Sequence, residues 1–435
     1  MNIRQNMIVT STVLSIFSLA PKLSLAQPAR TDQQIGYYQQ MLKRNPRSPQ
    51  ALLGLGDALI RKARETGEPS YFARAEEALK KSLDLAPQNS RAARHLAYVF
   101  YSRHEFAPAA AYARKAVEMN SSDGDAFGVL GDALLEVGGY ADAQAAYAYM
   151  MELEQNLYSY SRLAGLKSAR GDSAGAIADL ERAISAGKAV RQPSESVAWA
   201  EWQLGAEHFA VGDLSGAEKY YRQSLQTYPD YYRALAGLAQ VRAAQERYDE
   251  AIALYKKAIA ILPMPDYAAA LGDIYVKTKN PEQARRQYEL VEYIGRLNDI
   301  NKVLYNRELA YFFADHDVKA DVALELARHE LTYRRDLYAY DLLAWTLYKN
   351  GKHAEAREAI ERALKLGTKD AKLFFHAGMI YSSLGADDRA REFLRRALDT
   401  NRWFHPLLTE TAAHTLRRLD SDADAARAES APIGG

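Results

Sequence analysis

Apolar residues recur along this chain at helical intervals. The stretch from Tyr232 to Gln245 carries Leu235, Leu238 and Ala239 on one face. After Glu246-Arg247-Tyr248 a second stretch carries Ala251, Tyr255, Ala258 and Ile259, spaced by four, three and one. Such spacing places side chains on one helix face, whereas a strand would alternate them. This pair of helices is one copy of a unit. A small residue preceded by leucine or its equivalent recurs at Leu55-Gly56, Leu96-Ala97, Leu130-Gly131, Leu163-Ala164, Leu204-Gly205, Leu238-Ala239, Leu271-Gly272, Leu309-Ala310, Leu343-Ala344 and Ala377-Gly378. Twelve residues on stands Ala109, Ala143, Ala176, Ala217, Ala251, Ala284, Ala356 or Ala390 in eight of the ten. The first repeat reaches Ala75 after a seven-residue insertion, and the eighth reaches Ala323 after one extra residue. A period of about 34 residues with two amphipathic helices in each predicts an all-α solenoid of ten helix pairs.

The small residues have a steric purpose. Helix axes come within about 8–10 Å only as far as the side chains at the crossing permit. Glycine or alanine at the anchor, facing alanine in the second helix, lets the two helices approach, and Gly205 is expected at such a crossing. Seven residues after the anchor stand Gly138, Gly171, Gly212, Gly351 and Gly385. Glycine there suits a left-handed helix C-cap. In the seventh repeat Asn280-Pro281 is expected to replace this device as N-cap and first helical residue. Pro46, Pro87, Pro229 and Pro263 close second helices.

A Leu-Gly pair, an aromatic, three alanine-like positions and a closing proline resemble the tetratricopeptide repeat. The resemblance covers residues 48 to 402 and implies a right-handed superhelical solenoid with a C-terminal capping helix. Met150, Val291 and Glu330 depart from it at the later alanine position. The stretch from Arg285 to Asn306 lacks a proline break and predicts a lengthened second helix. Residues 32–45 read as a lone second helix, so the N-terminal array spans 32–190. Gln192-Pro193-Ser194 is expected to separate it from a C-terminal array at 196–404. A capping helix at 405–420, covering Leu407 to Leu419, and a disordered tail at 421–435 complete the organisation, since a solenoid needs its last apolar face covered.

Net charge is +1, so no basic tract argues for nucleic acid. The absence of cysteine excludes disulfides, thiolate metal sites and a cysteine nucleophile. Arg4, an apolar run from Met7 to Ala20 and Ser24-Leu25-Ala26 before Gln27 describe a cleavable secretory signal at 1–26. The run is shorter than the roughly 20 residues of a membrane span. An uncleaved anchor is the alternative, and no other stretch is apolar enough to span a bilayer. Cleavage after Ala26 implies a periplasmic or secreted protein whose formal charge, without Arg4 and Lys22, is −1.

Catalytic and metal-binding patterns are not found. Nine histidines form no HExxH pair, and His316 and His329 read as surface residues. Gly54-Leu55-Gly56 is the repeat anchor without the strand of a dinucleotide site. Ser121 to Asp125 lacks the closing glutamate of a calcium loop. The repeats occupy nearly the whole chain, so neither an enzyme nor a cofactor is expected.

The resemblance implies that first helices line a concave face, with inward positions six and three before the anchor and one, four and five after it. These positions hold Arg91, Arg94, Tyr98 and Tyr101 in repeat two, and Trp199, Trp202 and Phe209 in repeat five. They hold Arg307 and Tyr311 in repeat eight, Asp341, Trp345, Tyr348 and Lys349 in repeat nine, and Phe375 and Met379 in repeat ten. Aromatics with arginine commonly anchor interfaces, although rings at helical spacing also serve as packing. Arg94 and Tyr98 stand where the family's carboxylate clamp has Lys and Asn, which speaks against a chaperone-tail adaptor. The expectation is a scaffold binding a protein or peptide partner; a glycan-handling solenoid of a polysaccharide export system is the alternative.

Overall fold

The structure, a computed structural model, describes residues 28–300 and 306–430. The expected signal at 1–26 and residues 431–435 lie outside the described residues. These contain 22 helices and no strand. Helix α1 (Pro28–Arg44) precedes ten pairs. The first five are α2 (Pro49–Thr66) with α3 (Ser70–Leu85), α4 (Ser90–Ser102) with α5 (Phe106–Met119), α6 (Gly124–Glu136) with α7 (Tyr140–Leu153), α8 (Leu157–Ala169) with α9 (Ser173–Ala189), and α10 (Ser194–Ala210) with α11 (Leu214–Thr227). The second five are α12 (Tyr232–Ala244) with α13 (Tyr248–Ile261), α14 (Pro265–Lys277) with α15 (Pro281–Ile300), α16 (Arg307–Asp315) with α17 (Ala320–Glu330), α18 (Leu337–Lys349) with α19 (His353–Leu364), and α20 (Ala371–Ser383) with α21 (Asp387–Thr400). Helix α22 (Leu408–Ser430) follows. The fold is an all-α superhelical solenoid.

The expected break at Gln192-Pro193-Ser194 does not interrupt the core. Leu157, Leu180 and Ile184 share one apolar cluster with Val197 and Leu204 of the next pair. The expected disordered tail is also corrected, because α22 continues to Ser430. Its Ala-rich stretch from Ala423 to Ala428 favours helix once the capping stripe of Leu408, Ala412 and Leu419 has docked.

Each anchor glycine receives a large side chain from the second helix, sixteen residues on or twenty-three in the first repeat. A Cβ on Gly56 would lie 2.6 Å from Leu79, one on Gly205 2.7 Å from Tyr221, and one on Gly378 2.6 Å from Leu394. Tyr147 and Tyr288 occupy the same space over Gly131 and Gly272. Their hydroxyls donate to Asp132 (2.7 Å) and Asp273 (2.8 Å), which directly follow those glycines.

The turn inside nearly every pair is left-handed at the residue seven past the anchor. Gly138, Gly171, Gly212, Gly351 and Gly385 have φ between 69° and 80°. His104, Glu246, Lys279 and Asp317 take φ of 61°, 58°, 57° and 55° at the same place without being glycine. Asn280-Pro281 therefore follows the left-handed turn at Lys279 and does not replace it.

The superhelix is wound so tightly that successive turns touch. The within-pair turn of repeat n meets the connection that closes repeat n+5. For repeat three, Arg335 N donates to Glu136 O (2.8 Å), Leu337 N to the Tyr140 hydroxyl (2.7 Å), and Arg334 pairs with Glu136 (2.5 Å). For repeat four, the Thr368 hydroxyl donates to Ala169 O and Gly171 lies against Gly367 O. For repeat five, Asn401 Nδ2 donates to Phe209 O (2.7 Å). For repeat one, Gly67 abuts Leu262. A Cβ on Gly351 or Gly385, in repeats nine and ten, would meet nothing within 4 Å. Those turns lie on the last coil and have no coil above them.

Candidate functional site

The inner wall is built from first helices, and most of its charges are consumed by neighbouring repeats. Arg94 is held by Asp123, the N-cap of α6, at 2.7 Å and by Asp125 at 3.1 Å. Arg307 likewise reaches Asp336, the N-cap of α18, at 2.7 Å. It also pairs with Glu330, which stands in place of the usual alanine. Arg162 is neutralised by Asp132 at 2.8 Å, and Arg64 by Glu195 at 2.6 Å. A half-buried guanidinium forked onto carboxylates is strongly held, so Arg94 and Arg307 join repeats and are not available to a ligand.

The aromatic positions divide into two groups. In repeats eight to ten they are part of the wall. Trp345 and Phe375 are each 1% exposed. The Trp345 indole donates to Asp315 at 2.8 Å and lies flat between His376 (centroids 4.3 Å apart) and Tyr348 (4.9 Å). Tyr311 donates to Asp341 at 2.7 Å under the Lys372 ammonium. Tyr348 is half-buried in the same cluster, and Lys349 pairs with Asp317 at 2.7 Å. The reading of Trp345 and Phe375 as groove-facing rings is corrected: the wall of repeats eight to ten is closed over them. In repeat two, Tyr98 is half-buried and Tyr101 donates to Glu136 at 3.3 Å.

In repeats four to seven the wall is open. Tyr158, Trp199, Trp202, Phe209 and Tyr232 keep part of their rings exposed. Arg233, six before its anchor, lies over Trp202 (5.1 Å) and Tyr232 (5.2 Å). Among the described residues no carboxylate lies within ion-pairing distance of it, unlike Arg64, Arg94, Arg162 and Arg307. Asp266, at the same position of the next repeat, is exposed.

Behind this surface, His316 is half-buried and paired, correcting its reading as a surface histidine. Its Nδ1 faces Phe312 O (2.8 Å) and its Nε2 faces Asp273 Oδ1 (2.7 Å). Both partners accept, so the imidazolium satisfies both. Burial opposes the charge, and Asp273 outweighs it, raising the pKa above 6.5. His329 is exposed. Among the described residues no cluster of three or more His, Asp or Glu side chains is arranged to hold a metal ion, and no helix is long and apolar enough to cross a membrane.

Sequence reasoning missed Arg233, Asp266 and Lys372, although all three occupy the position six before an anchor. It also missed the carboxylates at Asp132 and Asp273, for which a tyrosine sixteen residues past Gly131 and Gly272 was the available signal.

Comparison with known proteins places this geometry. Tetratricopeptide repeat profiles match residues 208–274 and 242–296, and others match 32–76, 70–124 and 342–406. A TPR repeat-containing protein of Methanocaldococcus jannaschii is 23% identical over 338 residues, covering 75% of this chain and 47% of that protein. The chain thus spans about half the length of that curated relative. The human IFIT1 dimer with m7Gppp-AAAA is similar in fold, with a TM-score of 0.51 and 17% identity, over 78% of this chain and 77% of that one. Yeast Tom70 aligns with a TM-score of 0.38 and 14% identity, over 93% and 95%.

Proposed function

Because the chain belongs to the tetratricopeptide repeat family, a fold suited in general to protein–protein interaction, we propose that it is a non-catalytic exported scaffold. Its protein or peptide partner lies against repeats four to seven, in the open part of the groove. The observation that carries this reading is Arg233. It is a guanidinium without a carboxylate partner laid over Trp202 and Tyr232, in a wall where Arg64, Arg94, Arg162 and Arg307 are neutralised. Large rings beside a planar donor that no carboxylate holds supply both buried area and directional hydrogen bonds, the usual composition of an interface hot spot. The export part of the reading rests on Arg4, the apolar run to Ala20 and Ser24-Leu25-Ala26.

Co-purification from the producing cell tests the groove. Trp202→Ala and Arg233→Gln are expected to weaken partner retention by about 2 kcal/mol or more each, while helical circular dichroism and melting stay close to native. Trp345→Ala is the contrasting control, lowering the melting temperature because it empties a buried site. Unchanged partner retention in the Trp202 and Arg233 variants contradicts the assignment. Retention of polymeric carbohydrate in place of protein would favour the glycan-handling alternative. N-terminal sequencing of exported protein is expected to begin at Gln27; a start at Met1 would point to an anchor.

A further inference from the structure

The groove is not empty along its whole length. Between α21 and α22 the chain turns inward, and residues 402–407 (Arg-Trp-Phe-His-Pro-Leu) lie against inner positions of repeats seven, eight and ten. The Phe404 ring packs 5.6 Å from Phe375. His405 Nε2 faces Asp273 Oδ2 of α14 at 3.4 Å. Asp315 of α16, Lys372 of α20 and His316 surround the same imidazole. Its Nδ1 accepts from Leu407 N (3.2 Å) and Leu408 N (3.3 Å), so the neutral tautomer with its proton on Nε2 fits both sides.

An end cap does not require this. The apolar end of the array is already covered by Leu408, Ala412 and Leu419 of α22, and the strap reaches past that end to touch repeats eight and seven, two and three positions back. Its hold is also weaker than its surroundings. Asp273 binds His316 at 2.7 Å and Tyr288 at 2.8 Å, against 3.4 Å to His405. Arg402 and Trp403 remain exposed at the rim.

We infer that residues 402–407 are a resident ligand of the groove's C-terminal half, occupying a docking site for a partner segment of the same chemistry. That segment is a peptide with an aromatic residue followed by a side chain that donates a hydrogen bond or carries positive charge. The aromatic replaces Phe404 on Phe375, and the donor replaces His405 on Asp273 and Asp315. The site is distinct from the Trp202–Arg233 surface and does not rest on it, so either can fail while the other stands.

The probe is the strap itself, a capped synthetic peptide of residues 400–408. Because the chain has no cysteine, Arg402→Cys accepts a single fluorophore on the full chain. Added peptide is expected to free the label, raising its mobility saturably, while a peptide with alanine at the Phe404 and His405 positions does not. The full-length variant Phe404→Ala/His405→Ala, relieved of its own competitor, is expected to bind the native peptide about tenfold more tightly than the parent. Unchanged label mobility at millimolar peptide, with no gain in a double variant that keeps its helical signal, would overturn the inference. If the double variant does not fold, the label experiment on the otherwise native chain decides alone.

Discussion

At the scale of single residues, the repeat imposes one backbone conformation on unlike side chains. Glu246 takes φ 58° at a place where Gly351 takes 71°, and a Cβ in that conformation costs about 1–2 kcal/mol. Glu246→Gly is therefore expected to raise the melting temperature, and Gly351→Ala to lower it by a comparable amount. Gly171→Ala is expected to lower it further, since its added methyl also strikes Gly367 O of the next coil. Thermal unfolding by circular dichroism of the three variants checks the order. Equal effects of Gly171→Ala and Gly351→Ala would mean that the coils do not press on each other there. The left-handed turns were legible in the sequence only where glycine marked them. His104, Lys279 and Asp317 carry no such mark, and only their distance from the anchor identifies them.

Between elements, buried charge joins one repeat to the next. The imidazolium of His316 ties α16 to Asp273 of α14, and its raised pKa fixes the direction of the pH effect. A base whose folded pKa lies above its unfolded value of 6.5 stabilises fully below that value and loses its contribution as pH rises through the folded pKa. The melting temperature of the native chain minus that of His316→Gln should be largest near about pH 6 and shrink toward about pH 9. A difference independent of pH would contradict the charged assignment. His405 works in the opposite sense: burial lowers its pKa, so its neutral contacts weaken as pH falls below 6.5. Helix pairs and their inward positions were readable from periodicity, because each depends on neighbours in sequence. Which inward residues stay free was not readable. Arg94 and Arg233 both face inward, three and six residues before their anchors, and the carboxylates of Asp123 and Asp125, 29 and 31 residues on from Arg94, make the first of them structural.

At the scale of the whole molecule, the contact of repeat n with the connection after repeat n+5 decides the rest. It joins Glu136 to Arg334 across 198 residues and brings Asn401 to Phe209. With the inward strap, it leaves repeats four to seven as the open part of the inner wall. No local pattern announces these contacts, because they depend on the accumulated rotation of five repeats. A small change in packing per repeat would separate the coils without altering a single helix. The direct test is therefore a distance. Arg170 and Lys369 are exposed on opposite sides of the contact, where Lys369 lies beside Gly171. In a chain without cysteine, Arg170→Cys/Lys369→Cys carries two spin labels and no others. Pulsed electron spin resonance should give one narrow population at the short end of the measurable range, whereas a broad distribution at long distance would show that the coils stand apart.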